Sequence, residues 1–182
     1  MKSQALAITL GDPAGIGPEI IVRAFRDAPE LTRGCFVAGD LGLVRQAAQA
    51  LEAPGRLALP VALIEAPAEA LAVPPRCIPV LQVVRPPEEA IAPGAISALA
   101  GRIAGDCVVW AARAALRGEV AAIVTAPLHK EALAAAGYAF PGHTELLQAE
   151  AAAHLGRPVA DVPVRMMLAN DCLLYTSDAA DE

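Results

Sequence analysis

Short apolar runs alternate with longer amphipathic segments along most of the chain. The apolar runs predict buried strands at 5–10, 35–40, 61–66, 78–84, 120–126 and 162–170. Apolar positions with helical spacing predict helices at 18–28, 41–53, 97–117, 127–137 and 144–156. Because strands and helices alternate, we expect an α/β fold with a mostly parallel sheet and flanking helices.

Two further patterns refine this expectation. The run at 120–126 is the most continuously apolar strand, which is typical of a central position in a parallel sheet. The segments 66–75 and 85–94 are rich in proline, which blocks helix interiors and sheet ladders. We therefore expect these two segments to be solvent-facing links.

Composition narrows the class of protein. Hydrophobic residues make up 55% of the 182 residues and aromatic residues only 3%, so we expect a core of aliphatic side chains. The net charge of -6 and the lack of a basic cluster argue against a nucleic-acid partner. No apolar stretch is long enough for a membrane span, and the N-terminus does not resemble a secretory signal. The predicted location is the cytoplasm.

The four cysteines do not form a recognisable motif. Cys35, Cys77, Cys107 and Cys172 are scattered without a CxxC pair, so we interpret them as small buried hydrophobes.

The tail at 172–182 does not continue the strand pattern that precedes it. We expect it to be a non-native tail and exclude it from the fold prediction.

The first candidate site is the loop GDPAGIGPE at 11–19, which contains Asp12, Gly15 and Gly17. It follows a predicted strand and precedes a predicted helix, where ligands bind in open α/β sheets. The two glycines permit close backbone approach, and the helix N-terminus offers free N–H groups to an anion. The spacing is not that of a Rossmann or Walker loop. A tight turn without a ligand explains the same residues equally well.

The second candidate is the segment VTAPLHKE at 124–131. His129 and Lys130 fall in the first turn of a predicted helix, where cations oppose the helix macrodipole. An anionic ligand or partner would offset this unfavourable arrangement. The alternative is that both are solvated surface residues.

The third candidate is the run PGHTE at 141–145, just before the last predicted helix. Thr144 is a suitable N-cap, and Glu145 suits the first turn, so capping alone explains these two residues. Capping does not explain His143, whose imidazole titrates near neutral pH. No metal site can be assembled by spacing, because the three histidines lie at 129, 143 and 154 without an HxxxH pair.

Taken together, the three segments GDPAGIGPE, VTAPLHKEAL and FPGHTE resemble the hallmark segments of the 4-hydroxythreonine-4-phosphate dehydrogenases. Their order and separation also fit, and the similarity covers about 5–171. The resemblance implies that residues 1–171 are the N-terminal portion of such an enzyme. It also implies an incomplete part of a two-domain fold like that of isocitrate and isopropylmalate dehydrogenases.

The resemblance implies a chemistry and a set of partners. The family oxidises 4-hydroxythreonine 4-phosphate with NAD or NADP, the product is decarboxylated, and the pathway leads to pyridoxal 5'-phosphate. A divalent metal (zinc, magnesium or cobalt) polarises the reacting oxygen. By resemblance, His143 and Thr144 contact the substrate, and the full-length protein is a homodimer. Asp12, Gly15, Gly17, His129 and Lys130 are then candidates for substrate or cofactor loops.

The family's metal-binding histidines, and its later Lys, Asn and Arg that hold the substrate, would lie beyond Asp171. The resemblance therefore implies no metal ligand in this chain and about the first half of the family's length. We expect the 182 residues to be inactive alone and prone to aggregation through exposed strand edges.

Two other functions fit the same residues. The first is a paralogous dehydrogenase of the same fold that acts on another hydroxy acid. The second is a non-enzymatic domain that holds an anion at its helix N-termini.

Overall fold

A parallel five-stranded sheet forms the centre of the computed structural model, which describes residues 4–52, 59–169 and 174–178. The strands lie in the order β3-β4-β2-β1-β5, and every pairing between them is parallel. Their bounds are β1 Leu6–Thr9, β2 Cys35–Gly39, β3 Val61–Ile64, β4 Ile78–Gln82 and β5 Ala122–Thr125. The predicted α/β architecture with a parallel sheet is confirmed.

Helices cover both faces of this sheet. They are α1 Gly17–Asp27, α2 Leu41–Ala50, α3 Ala98–Leu116, α4 Lys130–Ala135 and α5 His143–Leu155, with short 3₁₀ helices at Pro67–Ala72 and Val159–Asp161. One core joins residues of α1 and α2 to Val37 and Val80, and another joins α3 to Ala7 and Phe36. Because successive strand residues point to opposite faces, α1 and α2 lie on one face and the second half of α3 on the other.

The helix ends follow from local sequence. Asp40 caps α2 by accepting a hydrogen bond from the Leu43 amide at 2.8 Å, and Ser97 caps α3 through the Ala100 amide at 3.1 Å. Gly156 ends α5 in a left-handed conformation at φ 63°. Cys107 on α3 is fully buried. This desolvation raises the pKa of its thiol to about 12. The interpretation of Cys35 and Cys107 as buried core residues is confirmed, Cys77 is only partly buried, and Cys172 lies outside the described residues.

Close contacts at two glycines and one tyrosine hold α4 and the residues after it against α3. A Cβ on Gly101 would lie 1.9 Å from the Ala132 carbonyl oxygen, and a Cβ on Gly105 would lie 2.3 Å from the Tyr138 ring. The Tyr138 hydroxyl also donates to Asp106 on α3. Gly101 therefore allows α4 to lie directly on α3, and Gly105 makes room on α3 for the Tyr138 ring that follows α4.

Two expectations about the sheet and its links are wrong. The strand predicted at 120–126 to be central is β5, which is an edge strand among the described residues, and Val124 is 50% exposed. The apolar run predicts a buried segment but does not specify neighbours on both sides. The proline-rich link at 66–75 is also not wholly solvent-facing, since its 3₁₀ helix buries Ala70.

The last predicted strand forms a separate hairpin. Strand β6, Arg165–Ala169, pairs antiparallel with β7, Leu174–Asp178. Part of the tail predicted as non-native is therefore a strand, and the rest of that tail lies outside the described residues. Within the described ranges, none of the helices combines the length and the apolar character that crossing a bilayer requires.

Candidate functional site

The candidate site lies at the carboxyl ends of the neighbouring strands β1 and β5. After β1 the chain passes to α1, and after the neighbouring strand β5 it passes to α4, which packs on α3. The two loops meet, because the Asp12 amide donates to the Pro127 carbonyl oxygen at 2.8 Å. Ligands of open α/β sheets bind at such a topological switch point, beyond the carboxyl ends of the strands.

The loop after β1 is held by its own backbone. The buried Asp12 carboxylate accepts a hydrogen bond from the Ala14 amide at 2.9 Å, and the Gly15 amide donates to the Asp12 carbonyl at 3.0 Å. The Ala14 carbonyl in turn accepts from the Gly94 amide at 2.7 Å. Asp12 therefore shapes the loop, and the link at 85–94 is tied to it.

The glycines of this loop serve different purposes. A Cβ on Gly17 would lie 2.7 Å from the Leu10 carbonyl oxygen, and a Cβ on Gly11, at φ 72°, would lie 2.4 Å from the Pro127 carbonyl oxygen. Gly15 is exposed, and its nearest neighbour atoms lie 3.5 Å away or farther. Gly17 thus permits close approach within the protein itself, and only Gly15 presents open backbone to a ligand.

A cleft of about 330 Å³ adjoins the same loop. Its lining includes Pro13, Gly15 and Glu19 from the loop and the start of α1, together with Gln46 from α2 and Ile91 from the link. The side of the site that faces α2 is therefore open and mostly apolar.

His129 and Lys130 lie on the loop and first turn after β5. Helix α4 begins at Lys130 and ends at Ala135, so it is shorter than the predicted helix at 127–137, and His129 occupies its N-cap position. Both side chains are exposed. Within the described ranges neither forms an ion pair, so their placement also fits solvated surface residues.

His143 is the first residue of α5 and reaches the end of β5. The imidazole is half-buried, and this desolvation lowers its pKa, while a hydrogen bond with the backbone of Ala126 acts in the opposite direction. Ala126 follows β5 directly and lies beside Gly17 and Gly11. The structure thus places the imidazole next to the meeting point of the two loops, rather than in distant apolar packing.

The Nε2 atom of His143 is buried and has no hydrogen-bond partner among the described residues. Thr144, the next residue, is half-buried in the first turn of α5. The predicted N-cap role of Thr144 is wrong, because Gly142 occupies the cap position and no side chain caps the helix. The first N–H groups of α5 are therefore left for another acceptor.

Thr9 was not among the predicted site residues. Its side chain is 0% exposed, and its hydroxyl also lacks a partner among the described residues. Thr9 ends β1 and pairs in register with Thr125, which ends β5. Thr9 and Thr125 each place a hydroxyl at the end of an apolar strand. This shared pattern is the sequence signal that could have indicated Thr9.

Metal ligands are not gathered in the described part of the chain. Across those residues, no group of three or more His, Cys, Asp or Glu side chains could hold a metal ion.

Comparison with known proteins identifies the family. A family model described as pyridoxal phosphate biosynthetic protein PdxA matches residues 31–177. The 4-hydroxythreonine-4-phosphate dehydrogenase of Beijerinckia indica is 39% identical over 171 residues, covering 94% of this chain and 46% of the relative. The D-threonate 4-phosphate dehydrogenase of Salmonella typhimurium is 44% identical over 167 residues, covering 81% of this chain and 44% of the relative.

A solved structure supports the same assignment. The crystal structure of 4-hydroxythreonine-4-phosphate dehydrogenase from Klebsiella pneumoniae matches with a TM-score of 0.78 and 37% identity, covering 94% of this chain and 48% of that chain. The chain thus spans about half the length of the relatives that it matches. Because the family model covers most of the sequence and the fold agrees, the chain belongs to the PdxA family of pyridoxal phosphate biosynthetic proteins.

Proposed function

We propose that the chain is the N-terminal portion of a cytoplasmic dehydrogenase that oxidises 4-hydroxythreonine 4-phosphate in pyridoxal 5'-phosphate biosynthesis. Relatives that carry this name and the family match support the proposal. The observation that carries it in this chain is the half-buried imidazole of His143, whose Nε2 lacks a partner beside the loops at the switch point.

The residues of this site suit a phosphorylated alcohol. Desolvation favours the neutral imidazole of His143, so Nε2 can exchange a hydrogen bond with a substrate hydroxyl or ammonium group. The hydroxyl of Thr144 and the uncapped N–H groups of α5 favour an anionic group such as a phosphate or a carboxylate. Gly15 offers open backbone on the loop after β1.

The cofactor and the metal belong to the parent protein in this proposal. A nicotinamide cofactor, NAD or NADP, accepts the hydride, and the keto acid that forms is then decarboxylated. The described residues do not offer a set of metal ligands. Zinc, magnesium or cobalt would be held by residues beyond 171, within a two-domain fold of the isocitrate dehydrogenase type and a homodimer.

The proposed division of the chain follows from this. Residues 1–171 are the native N-terminal portion, and 172–182 are a non-native tail. The DNA downstream of the codon for Asp171 in an independent isolate tests this division. A continuing reading frame with further histidines supports it, and a stop codon after Glu182 contradicts it.

The activity of the 182 residues is the direct test. We expect no reduction of NAD or NADP with 4-hydroxythreonine 4-phosphate and a divalent metal, because the metal ligands and the later Lys, Asn and Arg that hold the substrate are expected beyond Asp171. Robust reduction by the purified chain contradicts the proposal that it is only a portion of the enzyme.

Substrate binding can be measured without turnover. Isothermal titration with 4-hydroxythreonine 4-phosphate is expected to show weak binding that falls in H143Q and T144V and persists in H154Q, which alters an exposed histidine near the end of α5. Equal affinity for inorganic phosphate would instead support the non-enzymatic anion-binding domain.

A paralogous substrate is the second candidate. The D-threonate 4-phosphate dehydrogenase of Salmonella typhimurium is 44% identical to this chain, against 39% for the 4-hydroxythreonine-4-phosphate dehydrogenase of Beijerinckia indica. The two substrates differ at carbon 2, which bears a hydroxyl group in D-threonate and an ammonium group in hydroxythreonine. Tighter binding of D-threonate 4-phosphate in the same titration would favour this candidate.

A further inference from the structure

Asp12 is a buried acidic side chain in the loop after β1. It is 7% exposed, and none of the ion pairs among the described residues includes it. Its carboxylate instead accepts a hydrogen bond from the Ala14 amide at 2.9 Å, and Ala14 is also buried. A buried amide that loses its acceptor costs the free energy of its desolvation. The conformation of the loop at Ala14 therefore depends on the oxygen that Asp12 provides.

The peptide group between Ala14 and Gly15 is held on both sides. Its N–H, which belongs to Gly15, donates to the Asp12 carbonyl oxygen at 3.0 Å, and its carbonyl, which belongs to Ala14, accepts from the Gly94 amide at 2.7 Å. The N–H and C=O groups of a trans peptide point in opposite directions. Asp12 thus lies on one side of this peptide group and the link at 85–94 lies on the other. A rotation of the peptide group would break both hydrogen bonds.

Two further contacts connect Asp12 with the exposed parts of the site. A Cβ on Gly15 would lie 3.8 Å from the Asp12 carboxyl carbon, so the exposed Gly15 lies directly against this side chain. The Asp12 amide donates to the Pro127 carbonyl oxygen at 2.8 Å, two residues before the exposed His129. Asp12 therefore contacts both the turn that presents open backbone and the loop that leads into α4.

The side-chain contact of Asp12 requires an oxygen acceptor, which asparagine also provides. Both residue types accept a hydrogen bond from the backbone amide two positions later, as Asp12 does from Ala14. We propose that Asp12 is a positioning residue of this site: it acts on a bound ligand through the Ala14–Gly15 peptide group, and its acceptor oxygen rather than its negative charge is required. The effect on substrate rests on the proposed function, whereas the effect on the loop does not.

Spectra of the ligand-free chain test the effect on the loop. In ¹H–¹⁵N correlation spectra the Gly94 amide signal is expected to move in D12A, because the Ala14 amide has lost its acceptor and the peptide group that binds Gly94 is released. D12N keeps an acceptor and is expected to leave the Gly94 signal near its position in the unmodified chain. An unmoved signal in D12A, or equal movement in D12A and D12N, overturns the proposal.

Titration with 4-hydroxythreonine 4-phosphate in the same spectra tests the effect on binding. The dissociation constant is expected to rise about tenfold in D12A and to stay within about twofold in D12N, because one hydrogen bond that orders the loop is lost only in D12A. An equal rise in both variants would assign the negative charge itself to the ligand. An unchanged constant in D12A would show a role in folding alone. Either result overturns the proposal.

Two outcomes separate this proposal from the proposed function. If the unmodified chain does not bind the compound, the proposed function fails, and the Gly94 signal alone decides the role of Asp12. If D12A does not fold, D12N decides: retained binding with an unmoved Gly94 signal supports the acceptor role, and lost binding overturns it.

Asp40 provides the matched control for lost stability. It is 2% exposed and accepts a hydrogen bond from the Leu43 amide at 2.8 Å, much as Asp12 accepts from Ala14. D40A is expected to lower Tm by about 2–4 °C or more without a change in the dissociation constant. A rise in D40A equal to that in D12A would show that lost stability weakens binding, and contradicts a specific role for Asp12.

Discussion

At the scale of single residues, His143 combines an ordinary helical position with an unusual environment. Its ring is partly removed from water at the end of β5, and Nε2 is buried. Any group that is harder to protonate in the folded than in the unfolded protein links stability to pH. The same desolvation that suits the ring for binding therefore makes a measurable contribution to folding.

The sign of this contribution follows from the lowered pKa of His143. Between the folded and the unfolded pKa, the unfolded chain binds more protons, so stability falls as the pH decreases below about 6.5. H143Q is expected to lose part of this pH dependence of Tm between about pH 7 and pH 5. The effect should be a fraction of the ~1.4 kcal/mol linked to one full pKa unit, because solvent screens a half-buried ring.

Thermal unfolding of both variants across this pH range checks the prediction. H154Q removes a histidine whose side chain is exposed in the last turn of the same helix and serves as the control. Identical pH profiles for H143Q and the unmodified chain would show that the ring is equally easy to protonate in both states.

Sequence patterns predict which side chains lie at the site better than they predict what each side chain does in the local backbone. Capping does not explain His143, which makes it a candidate from sequence, and the structure places it beside the two loops. Thr144 was expected to cap α5, but an N-cap depends on backbone geometry, and Gly142 takes that position. Thr9 was missed because a single hydroxyl within an apolar run indicates a strand, and only the three-dimensional structure shows whether it has a partner.

At the scale of elements, the packing of α4 and of Tyr138 on α3 depends on the absence of two side chains, at Gly101 and Gly105. G101A would place a Cβ 1.9 Å from the Ala132 carbonyl oxygen, which belongs to backbone and cannot rotate away. We expect G101A to lower the free energy of unfolding by about 1–3 kcal/mol through overpacking, or by more if α4 separates from α3. Urea unfolding monitored by circular dichroism measures this loss.

A glycine in another helix, where the nearest atom belongs to a side chain, controls for helix propensity. A Cβ on Gly42, in α2, would meet only the Asp40 carboxylate oxygen that caps this helix, at 3.1 Å. Alanine favours a helix over glycine by about 1 kcal/mol and the carboxylate has to shift only slightly, so G42A is expected to cost clearly less than G101A. A similar loss in both variants would show that the close approach at Gly101 is not the cause.

Helix boundaries were predictable where a local signal exists and less so elsewhere. Ser97 and Gly156 mark the start of α3 and the end of α5 as expected. The helix predicted from 127 begins only at Lys130, because the backbone of Pro127 is already engaged by the Asp12 amide from another loop. Such a tertiary hydrogen bond has no signature in the local sequence.

At the scale of the whole molecule, β5 gives the described sheet an exposed apolar edge. Open strand edges promote association, and a charged residue at the edge suppresses it. V124K is therefore expected to reduce the aggregated fraction, with a change in unfolding free energy of no more than about 0.5 kcal/mol since the side chain is half exposed.

Light scattering at several protein concentrations measures this effect. L31K makes the same change of an exposed apolar residue to lysine at a side chain that is 83% exposed and lies outside the strands. If L31K reduces aggregation as much as V124K, net charge rather than the β5 edge is responsible.

The alternation of strands and helices was sufficient to predict a parallel α/β sheet, because each pattern reflects local burial. The strand order was not predictable in this way. Segment 120–126 is the most apolar, yet Val80 and Phe36 on inner strands are fully buried and Val124 is not. The hydrophobicity of a segment indicates whether it prefers to be buried. Which strands lie beside it in the sheet depends instead on how the connecting helices cross the sheet.

The hydrogen bond from the Gly94 amide to the Ala14 carbonyl oxygen gives the molecule a natural reporter. Its amide proton exchanges with deuterium only when that bond opens, so its exchange rate records how often the neighbouring turn releases the link. A small molecule that binds at Gly15 and stabilises the turn is expected to slow the exchange of the Gly94 amide proton. The amide of the exposed Ala121, which donates to the Ala5 carbonyl oxygen, is expected to keep its exchange rate. Mass spectrometry of deuterium uptake could then reveal occupancy without any turnover of substrate.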